Sequence, residues 1–219
     1  MSLWLRARVQ ALAWPALALV LAGAATLLRV GSADATTWDW QPSLALTQPW
    51  RAWTCALVHF SAMHLGANLT GCAVVAAFGL AAGCRARATV AWALAWPLGH
   101  AALAWQPALA HYGGLSGVLH AGVAVAAWQA MVGAPSHGAG SRSSDDKSNN
   151  FGQAGTAQRW IGAAVLIGLA AKIVLEAPWG PPLRPLPALG MAVAPLAHLT
   201  GAVAGLLCAA VLLPPRRSR

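Results

Sequence analysis

The chain has 219 residues, 58% hydrophobic and 9% charged, with no formal charge between Arg51 and Arg85, between Arg87 and Arg142, or between Arg184 and Arg216. A spanning helix needs about 20 mostly apolar residues, so gaps of this length exclude a soluble fold and imply an all-α, polytopic membrane protein. The net charge of +9 comes from basic residues bunched between apolar runs, the positive-inside pattern of membrane topology, which argues against a nucleic-acid partner.

A first helix is predicted from about Val9 to Val30. Arg6 and Arg8 ahead of it mimic a signal peptide, but the run is long enough to span and reads as a retained helix. Residues 31–53, rich in Trp, Pro and Thr (Trp38, Trp40, Trp50, Trp53), read as an outer loop at the headgroup level, where amphipathic indole rings settle. A second helix is expected from about Leu57 to Gly83, ending at the basic Cys-Arg-Ala-Arg turn, and a third from Ala88 to Trp105. The break QPALAHYGG precedes a fourth, from about Leu115 to Val132. Residues 133–158, polar and Gly/Ser-rich, read as a flexible inner loop holding a solvated His137. A fifth helix runs from about Arg159 to Glu176. The Pro-rich stretch APWGPPLRPLP cannot be regular helix, and a sixth helix follows from about Leu189 to Leu213, before a basic tail at 214–219. Together these form one membrane domain spanning residues 1–219.

Six spans place both termini on one side. Taking the basic clusters as cytoplasmic puts ten of the fourteen Lys and Arg inside, with Arg51 and Arg184 on outer loops and Arg29 and Lys172 near outer helix ends. The scattered Cys55, Cys72, Cys84 and Cys208 form no C-x-x-C pair and read as small buried hydrophobes.

Polar groups within a membrane are costly and are functional candidates by default. They gather in three places: His59, His64 and Asn68 in HFSAMHLGANLTG, Ser116 behind two glycines, and His198 in AHLTGAVAG. His64 and Asn68, four apart, share one helix face. Helices two, four and six all run inward, so His64, Ser116 and His198 share a depth just below the outer surface. Gly117/Ala121 and Gly201/Gly205 are small-x-x-x-small pairs that permit close helix approach, and opposition of those faces would let His198 reach Ser116.

A serine hydroxyl, an imidazole and nearby donors suit acyl transfer. The base takes the hydroxyl proton, and His64, Asn68 and the Ser116 N–H are candidate donors to the oxyanion. A Ser/His dyad is preferred to a triad, because the only acids (Asp34, Asp39, Asp145, Asp146 and Glu176) lie in loops or at a helix end. Lys172 and Glu176, at i and i+4, read as a local ion pair. His100 and His111 read as structural or interfacial. No aspartate pair, no H-E-x-x-H and no membrane carboxylate is present to support an aspartyl protease, a helical zinc site or a proton-coupled carrier, and neither a metal nor a cofactor is expected.

The segments WR (50–51), HFSAMHLGAN (59–68), GGLSG (113–117) and AHLTG (197–201) together resemble the rhomboid family of intramembrane serine proteases, in the family's order. The resemblance implies a six-helix bundle, a Ser116 nucleophile, a His198 base, and oxyanion contacts from His64 and Asn68 with Gly114 beside them and His59 in support. It also implies an outer loop around Trp50-Arg51 lying partly in the membrane, and a fifth helix and connector that gate access.

His120 stands where many members carry an aromatic, one turn after the serine, and this variant resembles the rhombosortase branch. That branch implies membrane-anchored substrates with a C-terminal Gly-Gly, a hydrophobic helix and a basic tail, cleaved at the outer surface of the bacterial inner membrane. His120 itself is open between competing as base, orienting His198, selecting a small substrate residue, and packing as a satisfied core histidine. The rival readings are a non-catalytic rhomboid-like helix escort, which would normally lack the serine or histidine that this chain keeps, and a small-solute carrier. The partners expected are transmembrane substrates and membrane lipid.

Overall fold

A computed structural model describes residues 3–31, 34–133, 147–187 and 191–215. It is helical apart from one short hairpin: α1 (Leu3–Val30), α2 (Ala35–Trp38), α3 (Arg51–Thr54), α4 (Ala62–Ala81), α5 (Ala86–Ala101), α6 (Ser116–Gly133), α7 (Lys147–Leu175), β1 (Arg184–Leu186), β2 (Met191–Val193) and α8 (Pro195–Leu212). Among the described residues, five helical stretches are long and apolar enough to cross a membrane: Val9–Val30, Ala62–Ala81, Ser116–Gly133, Gly155–Leu175 and Pro195–Leu212. This is a multi-pass membrane protein. The 16-residue α5 is shorter and continues as a 3-10 turn over Ala102–Trp105.

The helix α6 is the hub, packed by α4, α5, α7 and α8, while α1 closes the bundle against α4 and α5. Its core residues are unusually small, with Ala121, Ala124, Val125, Ala126, Ala127 and Ala130 all buried, so its neighbours approach closely. Two tryptophans brace the other side. The Trp14 indole N–H donates to the Val75 carbonyl, that of Trp92 donates to the Val118 carbonyl, and the two rings pack 4.5 Å apart. Leu12, Leu19, Leu27, Val74, Leu94, Ile167, Leu207 and Val211 face outward, as lipid-facing positions would.

Several expected boundaries move, each for a local reason. The second helix begins at Ala62 rather than Leu57, because Ser61 adopts extended backbone and accepts the His64 N–H as its N-cap. The fifth begins at Lys147, inside the segment expected to be a loop. Once an apolar helix is nucleated, each added residue gains a bond at low cost. The remainder of that loop, with His137, lies outside the described residues, as does most of the basic tail. The sixth begins at Pro195 rather than Leu189. Ala194 is extended, as the residue before a proline prefers, and Arg184–Leu186 and Met191–Val193 pair antiparallel. That hairpin was not anticipated.

The segment between α1 and α4 is folded around a buried ion pair rather than floating at the surface. Arg51 is 6% exposed and donates to the Thr36 and Asp39 carbonyls, the Gln48 side chain and the Asp39 carboxylate. The second oxygen of Asp39 accepts from His111 Nδ1 at 2.7 Å. Trp40 and Tyr112 exchange backbone hydrogen bonds, and Trp40 is buried, unlike the exposed Trp38, Trp50 and Trp53. His100 donates to the Ala52 carbonyl. These bonds fasten the chain immediately ahead of α6 to the rest of the end cap. The four cysteines are free, and Cys55, Cys72 and Cys84 are buried.

Candidate active site

The first turns of α4, α6 and α8 carry His64, Ser116 and His198, and one end of the bundle gathers all three. Ser116 heads α6 after a turn that only glycine accommodates: Gly114 has φ +125°, and a Cβ there would lie 2.6 Å from His64 Nε2. The Gly114 N–H donates to the Cys55 carbonyl and its own carbonyl accepts from Tyr112. The turn is thus held from both sides. The Tyr112 phenol also interacts with the Ser116 side chain, a contact not foreseen from the sequence.

The expected glycine faces do oppose each other. A Cβ on Gly117 would fall 2.9 Å from the Ala197 carbonyl oxygen, one on Gly201 would overlap the Gly117 carbonyl, and one on Gly205 would sit 2.5 Å from the Ala121 carbonyl oxygen. Contact of this kind seats the first turn of α8 against the first turn of α6. His198, 3% exposed, then shares a cleft wall with Ser116.

The polar residues of α4 approach the same serine. His64 and Asn68 are each 5% exposed. The Asn68 amide donates to His59 Nε2 at 3.0 Å, and His59 Nδ1–H donates to the Leu57 carbonyl. With Nδ1–H turned to the Leu57 carbonyl, the Nε2 lone pair faces the amide, and burial pushes the His59 imidazole below its ordinary pKa. His59 therefore orients Asn68.

Two cavities meet at Ser116. One, of about 480 Å³, opens at the end of the bundle and is lined by Phe60, His64, His111, Tyr112 and the β1–β2 hairpin residues Pro185 and Val193. The other, of about 670 Å³, is a lateral apolar cleft between α4 and α7, with Asn68, Gly71, Leu119, Leu169 and His198 in its walls.

His198 carries a partner that sequence reasoning set aside. His198 Nδ1–H donates to Glu176 Oε2 at 2.6 Å, and Glu176 also accepts from Lys172. The Lys172–Glu176 pair expected on α7 exists, but it is one arm of a larger network. The dyad is preferred in the sequence for want of a carboxylate, yet the end of α7 lies against α8 and brings the Glu176 carboxylate to the His198 ring. The signal was available: Glu176 is the one acid bordering a predicted span at the depth argued for His198.

His120 is fully engaged. Its Nδ1–H donates to the Ser116 carbonyl at 2.7 Å, its Nε2 accepts from Lys172 at 3.1 Å, and its ring stacks on His198 with centroids 4.0 Å apart. It packs as a satisfied histidine against the His198 ring. Ligand atoms of His120, Glu176 and His198 lie within 4.8 Å of one another. The Lys172 ammonium already faces both His120 Nε2 and the Glu176 carboxylate, however, so the cluster has an internal cation where a metal would bind.

Partial burial raises the Glu176 carboxyl, but the hydrogen bonds from His198 and Lys172 outweigh it and hold the group at about 2. A carboxyl depressed below its ordinary 4.5 contributes stability that is complete above that value and lost as pH falls toward 2. Thermal melting in detergent is therefore expected to show wild type more stable than Glu176→Gln at pH 6, with the gap closing between pH 4.5 and 2. A pH-independent gap would contradict the ion-pair geometry.

Compared with protein-family models, curated proteins and solved structures, the chain has no match.

Proposed function

We propose that this chain is a rhomboid-like intramembrane serine protease of the rhombosortase branch, cleaving membrane-anchored proteins at a C-terminal Gly-Gly-type signal. The observation that carries the reading is the seating of α8 on α6 at Gly117 and Gly201. It sets a buried imidazole, whose Nε2 has no hydrogen-bond partner among the described residues, beside a serine at the head of a helix.

The chemistry follows from the groups present. Ser116 Oγ attacks the scissile carbonyl carbon as His198 Nε2 takes the hydroxyl proton. The carbonyl oxygen becomes an oxyanion facing His64, the Asn68 amide and the Ser116 N–H, one of the first N–H groups of α6, which have no partner within the helix. Collapse of the intermediate breaks the C–N bond, and the proton on His198 goes to the leaving amine. Water, activated by the same imidazole, then releases the acyl group from Ser116.

The apolar cleft between α4 and α7 suits a substrate helix arriving from the lipid, and the outer cavity suits the extended segment beyond it. In this reading α5 with its turn through Trp105 completes six crossings, both termini are cytoplasmic, and the site faces the outer side of a bacterial inner membrane. The branch assignment rests on His120 in place of the aromatic found in many family members.

A fluorophosphonate probe, which acylates only activated serines, tests the reading directly. The purified protein in detergent is expected to take up one label at Ser116, located by peptide mass. In cells, a reporter ending in Gly-Gly, a hydrophobic helix and a basic tail should be processed. No labelling of folded protein would overturn the protease reading. Labelling, with processing of other helices but never this reporter, would reject the branch and leave the protease.

A further inference from the structure

The least expected contact in the molecule is the carboxylate of Glu176 on the imidazole of His198, and we propose that Glu176 is a positioning residue making the site a Ser116–His198–Glu176 triad distributed over α6, α8 and the end of α7. The inference rests on the protease reading above and goes beyond the dyad that the family resemblance implies.

Several groups fix Glu176 in place. The backbone turns immediately after it, with Ala177 at φ +49° ending α7, the left-handed conformation common just past a helix C-terminus. Arg184, at the start of β1, donates to the Glu176 carbonyl at 2.8 Å and to the Leu175 carbonyl at 3.3 Å, satisfying the last carbonyls of the helix. Lys172, one turn back, holds Oε1 while His198 Nδ1 holds Oε2. Backbone and both carboxylate oxygens are thus anchored from β1, α7 and α8.

The consequence for His198 is chemical. A carboxylate only accepts, so the ring nitrogen facing it carries the proton and Nε2 is left with a lone pair. That is the tautomer able to take the Ser116 proton. When it does, Oγ bonds to the scissile carbon, the proton passes to Nε2, and the Nδ1 proton stays on the ring. The resulting imidazolium lies against an anion that Lys172 keeps from accepting that proton. His120, stacked on the other face with both nitrogens engaged, holds the ring plane without competing for the proton. The alternative is that Glu176 merely satisfies a buried histidine, and the experiment separates the two.

The variant is Glu176→Gln in the full-length protein, assayed on a cleavable membrane-anchored substrate. Gln keeps size and acceptor oxygen but can also present an N–H to Nδ1, favouring the wrong tautomer. kcat should fall about 10²-fold or more, within the range of acid–base contributions, with KM nearly unchanged. In a His198→Ala background the same change should cost nothing further, because the two act as a unit. A kcat within about threefold of wild type, or full additivity with His198→Ala, would overturn the triad.

Should the variant fold poorly, ¹⁵N-histidine spectra of the wild-type protein decide the matter. An Nδ1–H tautomer at His198 is expected, and an Nε2–H tautomer would sink the proposal. Failure here leaves the protease reading standing if Ser116→Ala and His198→Ala still abolish cleavage. If those two variants cleave normally, the protease reading itself falls.

Discussion

Ser116→Ala and His198→Ala are each expected to lower turnover of a membrane-anchored substrate by about 10³-fold or more, and the double variant should be no worse than either single one. The reasoning is local. In the proposed mechanism, removing Oγ removes the atom that bonds to the scissile carbon, and the other hydroxyls lining the two cavities are engaged elsewhere: Thr70 with the Gly66 carbonyl, Ser61 as the cap of α4 and Tyr112 with the Gly114 carbonyl. The thiols of Cys55, Cys72 and Cys84 are buried. Cys208 lies nearly three turns along α8 from His198.

Removing the imidazole removes the proposed base, and His120 cannot stand in for it, having both ring nitrogens committed to the Ser116 carbonyl and to Lys172. Ser116→Ala should not disturb folding, because the turn ahead of it is held by Gly114, Cys55 and Tyr112 backbone and phenol groups rather than by Oγ. Melting temperature close to wild type with cleavage lost is the expected pair of results. Wild-type cleavage in either variant would remove the basis for a Ser/His mechanism.

Gly201→Val is expected to do comparable damage by a different route. The added side chain would overlap the Gly117 carbonyl. That obstacle is backbone, which cannot rotate out of the way as a flexible side chain can, so α8 must move off α6. Overpacking of this kind costs about 1–3 kcal/mol and occasionally more. A displacement of about 1 Å between reacting groups can cost 10²-fold in rate.

Lower thermal stability together with loss of Ser116 labelling is therefore expected. Gly23→Ala, where a Cβ meets nothing within 4 Å, serves as the control and should be neutral or slightly stabilising from helix propensity. If Gly201→Val keeps both stability and labelling, α6 and α8 do not meet as described.

The two variants probe different levels of the molecule, and those levels were unequally visible in the sequence. The helices that cross the membrane could be read from the chain alone, because lipid imposes a length and an absence of charge that composition records directly. The ends were less accurate. α4 starts five residues late because Ser61 caps it, and α8 starts six residues late because β1 and β2 use the intervening residues to pair. Neither depends on hydropathy, so neither appears in a reading of apolar runs.

Much of the candidate site was legible for a related reason. His64, Asn68, Ser116 and His198 stand out because a polar side chain in a membrane segment is costly, and alternating helix direction puts them at one end. The small residues at 117, 121, 201 and 205 announced a close helix contact, since only small side chains allow one. Glu176 was passed over because it sits just outside a span, beside a lysine four residues earlier that explained it too easily. In the same way, Arg51 and Asp39 looked like loop charges and prove to be the buried clasp of the end cap.

By itself, then, the order of residues determined which segments lie in lipid, which polar groups they carry and which faces are small enough to touch. Those are one-dimensional properties of a helix, set by composition and a period of 3.6 residues. Only the tertiary structure decided that the end of α7 comes to rest on α8, so that a surface ion pair becomes the anchor of an imidazole. That contact joins residues 22 positions apart across a proline-rich turn and a hairpin, and its geometry depends on backbone angles at Ala177 and a cap from Arg184 that no periodicity encodes.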